Sequence, residues 1–332
     1  MEWGGFLESY KRIEEFRDKR DMIWEDLQRK NGELREMLNE ITQIKEATKC
    51  VKYFRTGVVD SSFDELFGDN WGRRLYVVCV AGIGFIPRDG KVEKEEIEPE
   101  FLIDEQISSY EEEEDYSRVL KGLAIAKEIL SAKEWFKNMD LVVMDGSAKS
   151  IVISINQGMT VKGLENSVMG RELKAVYGRT LDALLDLLML GKLLFIPKRS
   201  SEVLIADKIA DKMSLPIKND YALLEILLKE GEYVVVETPR RDYNLPKEGV
   251  EEEKLQQLFN ILNDLKVIYF KSLSGRIQKL ETLLTTHVNA IWDFFILEGE
   301  NILTYLADRS AKFYLSELRN YADKINPWRY RI

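Results

Sequence analysis

The stretch TGVVDSS, residues 56–62, places Asp60 directly after a run of apolar residues that is typical of a buried β-strand. The same pattern returns as LVVMDGS, residues 141–147, where Asp145 holds the corresponding place. Either stretch alone is more typical of a turn, in which an aspartate caps the segment that follows. Two such stretches in one chain make a shared site as good an explanation as two separate turns.

The apolar pattern predicts the order strand, strand, strand, helix, strand, helix, strand. Val, Ile, Tyr and Phe are enriched in the strand segments, and the helix segments repeat at helical spacing. An Asp-Gly pair between the second and third strands favours a tight hairpin turn. The predicted strands are residues 51–60, 73–87, 92–104, 141–145 and 192–198, the helices are near 115–136 and 170–190, and SIVISIN (150–156) is predicted to be extended.

This order predicts that the two aspartates meet. Parallel strands joined by a helix follow a right-handed crossover. If strands 51–60 and 141–145 are parallel neighbours, their carboxyl ends coincide, and ligands collect at such ends. Asp60 and Asp145 are then expected to face each other across one site.

Two carboxylates this close repel each other unless a proton or a cation lies between them. Oxygen ligands favour a hard divalent ion such as Mg²⁺ or Mn²⁺, and two such ions can serve phosphodiester hydrolysis. Glu128, on the helix between the two strands, has Ala124 and Ala132 one turn away, so it is expected to be half-buried and to need a partner. The alternative is an ordinary residue at the edge of the helix. Glu134 is expected to be solvated.

His287 is the only histidine of the chain. It lies in residues 276–295, predicted as a helix, in line with Leu280, Leu284 and Ile291. A lone histidine on an apolar face is more often a core residue than a ligand. Imidazole nevertheless suits Mn²⁺ binding or the proton transfer of hydrolysis.

Several basic residues are candidates for contact with phosphate: Lys198 and Arg199 after the last strand, Arg179, and the pair Arg240 and Arg241. Such residues are also common as solvated surface groups. The net charge of −10 argues against a general nucleic-acid coat protein but not against an enzyme with a local basic groove.

The remaining composition narrows the class of protein. The 332 residues suffice for one large domain or two ordinary ones. No stretch is typical of a membrane span or a signal peptide, and Cys50 and Cys79 have no paired spacing, which predicts a cytoplasmic protein. A P-loop, a dinucleotide turn, zinc-spaced cysteines and a Gly-x-Ser-x-Gly elbow are missing from the sequence.

Taken in order, GVVDSS, the helix with Glu128, LVVMDGS and the segment with His287 resemble the NurA nucleases, archaeal and bacterial partners of the HerA hexameric ATPase in DNA end resection. The resemblance covers roughly residues 50–297. It implies a ribonuclease H-like core with a mixed α/β sheet and flanking helices, a homodimer, DNA cleavage that depends on Mn²⁺ or Mg²⁺, and docking to HerA.

Carried over by position, Asp60, Glu128, Asp145 and His287 match the residues that hold two metal ions and catalyse cleavage. KRSS at residues 198–201 resembles the lysine-containing end of the family's fifth strand. One departure is LLTTH before His287, where many relatives have a Tyr-Pro-like phrase.

The predicted organisation is an N-terminal helical arm for dimerisation or partner docking, a nuclease core with a helical insertion near 201–265, and a C-terminal helical tail, with bounds 1–49, 50–297 and 298–332. The leading hypothesis is a metal-dependent DNA nuclease that acts with a HerA-type ATPase. The alternatives are a non-catalytic adaptor for an ATPase, and a related nuclease that acts on RNA or on DNA junctions.

Overall fold

A mixed β-sheet of nine strands forms the centre of the described part of the chain, in the order β1-β7-β8-β9-β6-β5-β2-β3-β4. The computed structural model describes residues 4–48, 54–68, 73–88, 91–107, 113–197, 203–212, 219–272, 274–291, 296–297 and 300–325. Two further strands, β10 and β11, pair only with each other. The strands are β1 (Lys45–Glu46), β2 (Thr56–Gly68), β3 (Arg73–Arg88), β4 (Lys91–Ile107), β5 (Leu141–Asp145), β6 (Leu193–Ile196), β7 (Glu232–Val236), β8 (Lys266–Lys271), β9 (Ile277–Thr282), β10 (Ile296–Leu297) and β11 (Glu300–Asn301).

Helices cover both faces of this sheet. Residues from α3, α4, α5 and α8 share one apolar core with Val59 of β2, whereas residues from α9 and α10 share another with Val58. The helices are α1 (Gly4–Arg29), α2 (Asn31–Ile41), α3 (Glu113–Trp135), α4 (Ala148–Met159), α5 (Val168–Met189), α6 (Ala206–Ala210), α7 (Asp220–Leu227), α8 (Glu252–Asn263), α9 (His287–Ile291) and α10 (Ile302–Ile325).

The strand connections are those of a ribonuclease H-like core. Strands β2, β3 and β4 form an antiparallel meander, and helix α3 then crosses over to β5, which pairs parallel with both β2 and β6. The resulting order β4-β3-β2-β5-β6 confirms the fold class predicted from the sequence. Pro99 lies in the edge strand β4, as expected for a residue that cannot donate to a strand ladder.

Strand β2 does not end at Asp60, which corrects the sequence interpretation. It continues to Gly68, paired antiparallel with β3 over its whole length. What ends beside Asp60 is the parallel pairing with β5, whose last pair is Val59 with Met144. Asp60 therefore lies at a fork, where one neighbouring strand stops and the other continues.

The prediction that SIVISIN is extended was wrong, because these residues lie in helix α4. Ser147 caps the helix by accepting a hydrogen bond from the Ser150 backbone amide, and the Ser150 side chain accepts one from the Ser147 amide. This reciprocal capping box favours a helix start. Ile151 and Ile155 are buried at helical spacing, so the β-branched residues pack as one helix face.

The helix predicted around His287 was also wrong. Leu280 lies in strand β9, and His287 is the first residue of the short helix α9. The segment near 201–265 contains helices α6, α7 and α8, and it also contributes strand β7 to the sheet. The three-part division of the chain stays a prediction.

The N-terminal helices pack in different ways. Helix α2 joins the fold through the buried Leu34 and Leu38 and through an ion pair between Arg35 and Glu232, with 2.8 Å between Nη1 and Oε2. In α1, by contrast, every residue from 11 to 22 has an exposed side chain. Among the helices of the described residues, none combines the length and apolar character needed to cross a membrane.

Candidate active site

Asp60 and Asp145 lie beside each other at the point where the parallel pairing of β2 with β5 ends. The pairs Val58–Val143 and Val59–Met144 set the register, so each aspartate directly follows the last matched pair. Both residues line one cleft of about 420 Å³. The structure therefore brings the two aspartates together as the sequence pattern predicted.

Neither aspartate serves as the helix cap that was the alternative explanation. Asp60 lies within a strand, and the cap of α4 is Ser147. Between Asp145 and this cap, Gly146 has a φ of +94°, a conformation that favours glycine. The Gly146 amide donates a hydrogen bond to the Ile196 carbonyl at 3.2 Å. The turn after β5 thus holds Asp145 at the edge of the cleft without using its carboxylate as a cap.

Glu128 lies across the cleft on helix α3 and is 5% exposed. The Ser61 hydroxyl donates a hydrogen bond to Glu128 Oε1. Burial, together with the nearby charge of Asp145, raises the pKa of Glu128 to about 8, although the hydrogen bonds from Ser61 act in the opposite direction. Near neutral pH this carboxyl therefore retains a proton unless a cation compensates its charge.

The donor chemistry of the cleft fits a hard divalent cation. Asp60, Glu128 and Asp145 offer only carboxylate oxygens, and a buried carboxylate beside another negative charge is the group that a cation stabilises most. Across the described ranges, no three His, Cys, Asp or Glu side chains already form a cluster that could hold an ion. The Ser61 hydroxyl engages only Oε1 of Glu128, and a carboxylate has a second oxygen that can ligate an ion while the first accepts a hydrogen bond.

The rim of the cleft carries groups that the motifs did not reveal. Lys121 lies two turns before Glu128 on α3, and Ser150 and Ser154 lie one turn apart on α4. Phe63 supplies an apolar wall. Helical spacing from Glu128 could have identified Lys121, whereas the serines depended on recognising α4 as a helix.

His287 lies at the other end of strand β6. Its Nδ1 is 2.7 Å from Thr282 Oγ1, and Thr282 is opposite Leu194 near the start of β6, whereas Asp145 is opposite Ile196 at its end. Burial lowers the pKa of His287 to about 4, opposed by a hydrogen bond to the Gly191 backbone. His287 is not among the residues that line the carboxylate cleft, and its contacts are those of a buried core histidine.

In the part of the chain that the structure describes, the basic residues predicted to contact phosphate do not line the carboxylate cleft. Lys198 and Arg199 lie outside the described residues, although Pro197 just before them lines the cleft. Arg179 lies in a second cleft, of about 790 Å³, on another side of α3. This second cleft also contains the basic residues Lys127, Lys133, Lys137 and Lys192 and the acidic residues Glu100, Glu134 and Asp186.

Comparison with known proteins finds matches among solved structures. No protein-family model matches the chain, and no curated protein matches it. The NurA nuclease from Sulfolobus solfataricus superposes with a TM-score of 0.58 at 12% identity, over 97% of this chain and 98% of that one. A NurA with manganese gives 0.52 at 14% identity, over 94% and 98% of the two chains. A NurA bound to dAMP and manganese gives 0.51 at 13% identity, over 92% and 93%.

These matches span nearly the whole length of both chains, so the shared features include the flanking helices as well as the central sheet. At 12–14% identity the likeness concerns the fold. The chain has the fold of the NurA nucleases, which confirms the resemblance predicted from its short motifs.

Proposed function

We propose that this protein is a metal-dependent DNA nuclease that hydrolyses phosphodiester bonds. The observation that carries the proposal is the convergence of Asp60, Glu128 and Asp145 on one cleft. The NurA fold supports it, because solved structures with that fold include one with manganese and one with dAMP and manganese. An acidic cleft of this kind suits phosphodiester chemistry only if cations are present, since the phosphate is itself negative.

We further propose two ions, Mn²⁺ or Mg²⁺, in this cleft. When bound, such ions supply Lewis-acid chemistry that activates a water and stabilises the leaving 3′ oxygen. Asp60 and Asp145 provide charge from the sheet, and Glu128 provides it from the helix opposite. Ser61 orients Glu128 through its hydrogen bond, and Lys121 on the rim offers a cation to the DNA backbone.

Cleavage of end-labelled DNA tests this proposal. We expect the wild-type protein to cut in Mn²⁺ and to lose activity by at least about 100-fold on Asp60→Asn or Asp145→Asn. Glu134→Gln, on the exposed side of α3, is the matched control and should cut normally. An Asp60→Asn variant that cuts at the wild-type rate would exclude this cleft as the active site.

The biological setting we propose is DNA end resection in double-strand break repair, together with a HerA-type hexameric ATPase and with the nuclease as a homodimer. Exposed apolar residues support protein contacts through α1: Ile13 is 65% and Phe16 is 73% exposed. Comparing digestion of blunt duplex DNA with and without the ATPase tests the setting. No change of rate or product length on adding the ATPase would count against it.

The same exposed helix favours one second candidate, a non-catalytic adaptor that joins an ATPase to DNA ends. An adaptor needs the surface of α1 but not the carboxylate cleft. Calorimetric titration with Mn²⁺ separates the two functions, because a nuclease site should bind the ion and lose binding on Asp60→Asn. Docking to the ATPase without Mn²⁺ binding would favour the adaptor.

A further inference from the structure

A buried ion pair lies next to the carboxylate cleft but outside its lining. Lys279 and Glu281 belong to strand β9, and Nζ of the lysine is 2.8 Å from Oε1 of the glutamate. Their side chains are 1% and 8% exposed. Removing two charges from water carries a desolvation penalty that their mutual attraction need not repay, so such a pair is weak evidence for a purely stabilising role.

The second oxygen of Glu281 reaches the turn that follows Asp145. Oε2 accepts a hydrogen bond from the Ala148 backbone amide at 2.9 Å. Ala148 is the first residue of α4, and its amide is one of those that a helix leaves without an internal partner. A carboxylate at this end of a helix is also favoured by the helix dipole.

Two hydrogen bonds to the sheet hold the two ends of the turn that follows Asp145. The Gly146 amide donates to Ile196 of β6, and the Ala148 amide donates to Glu281 of β9, which is paired with Phe195 in the neighbouring strand. Both anchors belong to the sheet rather than to α4. The backbone immediately after Asp145 is therefore fixed to two strands at once.

We infer that the Lys279–Glu281 pair is a positioning device for Asp145. Glu281 anchors the first amide of α4, and Lys279 orients the buried glutamate through the ion pair. Neither member of the pair lines the carboxylate cleft, so the pair acts through the turn. This inference rests on the proposed function for its catalytic consequence, but the anchoring itself is a property of the chain alone.

Two double variants isolate the anchor. Lys279→Met with Glu281→Gln removes both charges but keeps a side-chain oxygen that can accept from Ala148. Lys279→Met with Glu281→Leu removes both charges and the acceptor as well. Because each variant removes both members of this ion pair together, both are expected to fold, which thermal unfolding of the full chain will check.

Hydrogen exchange of the peptide covering residues 146–150 is the metal-free measurement. We expect the Leu variant to exchange faster there by about 10-fold or more, and the Gln variant to stay within a few-fold of wild type. The Mn²⁺ concentration for half-maximal DNA cleavage should rise by about 10-fold or more in the Leu variant only, as for losses of groups that orient metal ligands.

Wild-type exchange in the Leu variant would overturn the inference, and so would faster exchange spread equally over the whole protein. Faster exchange at the turn in a protein whose wild type neither binds Mn²⁺ nor cuts DNA would uphold the anchor and reject the proposed function. The two claims can therefore fail separately.

Discussion

Glu128 is a buried residue of the cleft, and its surroundings disfavour its negative charge. Its folded-state pKa of about 8 lies above the unfolded value of 4.5, so the proton it carries stabilises the fold at low pH. That stabilisation is fully present below 4.5 and is lost as the pH rises through 8. A bound cation would remove this pH dependence by favouring the ionised carboxylate.

Glu128→Gln should therefore have opposite effects on stability and on activity. In the absence of metal at pH 8, we expect the free energy of unfolding to rise by roughly 1–3 kcal/mol, since the amide needs no proton to be neutral. DNA cleavage should fall by at least about 100-fold. Urea unfolding at pH 5 and pH 8 measures the first effect, and Glu134→Gln is the exposed control. A uniform loss of stability at both pH values would contradict the account of Glu128.

His287 offers a direct titration, because it is the only histidine of the chain. Its folded-state pKa of about 4 lies below the unfolded value of 6.5, so the fold favours the neutral ring. This contribution is fully present above 6.5 and is lost as the pH falls towards 4, an effect of about 3 kcal/mol.

In a nuclear magnetic resonance titration, the chemical shift of the single imidazole should therefore change with a midpoint well below pH 6.5. A stability difference between wild type and His287→Asn should shrink over the same range. A normal midpoint near 6.5 would contradict the buried position, and Mn²⁺-induced broadening of the His287 signal as strong as that of the cleft residues would restore it as a candidate ligand.

At the scale of elements, the close approach of α3 to the sheet sets the position of Glu128. Gly57 of β2 lies against the Phe136 ring just after α3, and a Cβ atom on Gly57 would be 2.2 Å from Phe136 Cγ. The helix and strand can approach so closely only because position 57 lacks a side chain. Substitutions at position 57 should therefore lower the stability of the fold more than they change the chemistry of the cleft.

Gly57→Ala is expected to destabilise the fold by about 1–3 kcal/mol through overpacking. Gly32→Ala is the matched control, because a Cβ atom on Gly32, in helix α2, would contact nothing within 4 Å. In a helix that change should be neutral or stabilising by up to about 1 kcal/mol. Denaturant unfolding of both variants is the measurement, and equal effects of the two changes would refute the packing argument.

The sequence could predict the elements whose signals are local. LVVMD, the helix with Glu128 and the early strands follow from unbroken apolar runs and helical spacing, and the crossover rule then brings Asp60 and Asp145 together. The continuation of β2 past Asp60 could not be predicted in this way, because Asp64 and Glu65 interrupt the apolar run, and the pairing with the next strand, β3, continues through them.

Two further elements show where signals other than the apolar pattern decide the structure. SIVISIN has the β-branched residues of a strand, yet Ser147 caps it as a helix. LLTTH is a turn because β9 uses the apolar residues before it to pair with β6 and β8. The anchor from Glu281 to Ala148 joins residues 133 positions apart, and no motif links them.

On the scale of the whole molecule, the described part of the chain leaves residues 11–22 of α1 exposed. Ile13, Phe16 and Ile23 repeat at helical spacing with Leu27, which is 1% exposed and belongs to a core shared with α6 and α7. The exposed face is thus continuous with buried structure. This continuity suits a second copy of the chain better than a solvated arm.

If the proposed homodimer forms through α1, replacing Ile13 and Phe16 together by Glu should shift the protein from dimer to monomer, without changing its thermal unfolding by more than a few degrees. Light scattering after gel filtration measures the mass. Arg12→Glu with Lys19→Glu, on exposed positions of the same helix, controls for added negative charge. An unchanged mass in the apolar variant would exclude α1 from the dimer interface.

The proposed DNA cleavage requires above all that Asp60, Glu128 and Asp145 together bind divalent cations. Calorimetric titration of the full chain with Mn²⁺ tests it most directly, in wild type and in Asp145→Asn. We expect saturable binding by the wild type, with loss of at least about 10-fold in affinity in the variant, while both unfold at similar temperatures. Equal Mn²⁺ affinity in the two proteins, or no binding by the wild type, would contradict the account.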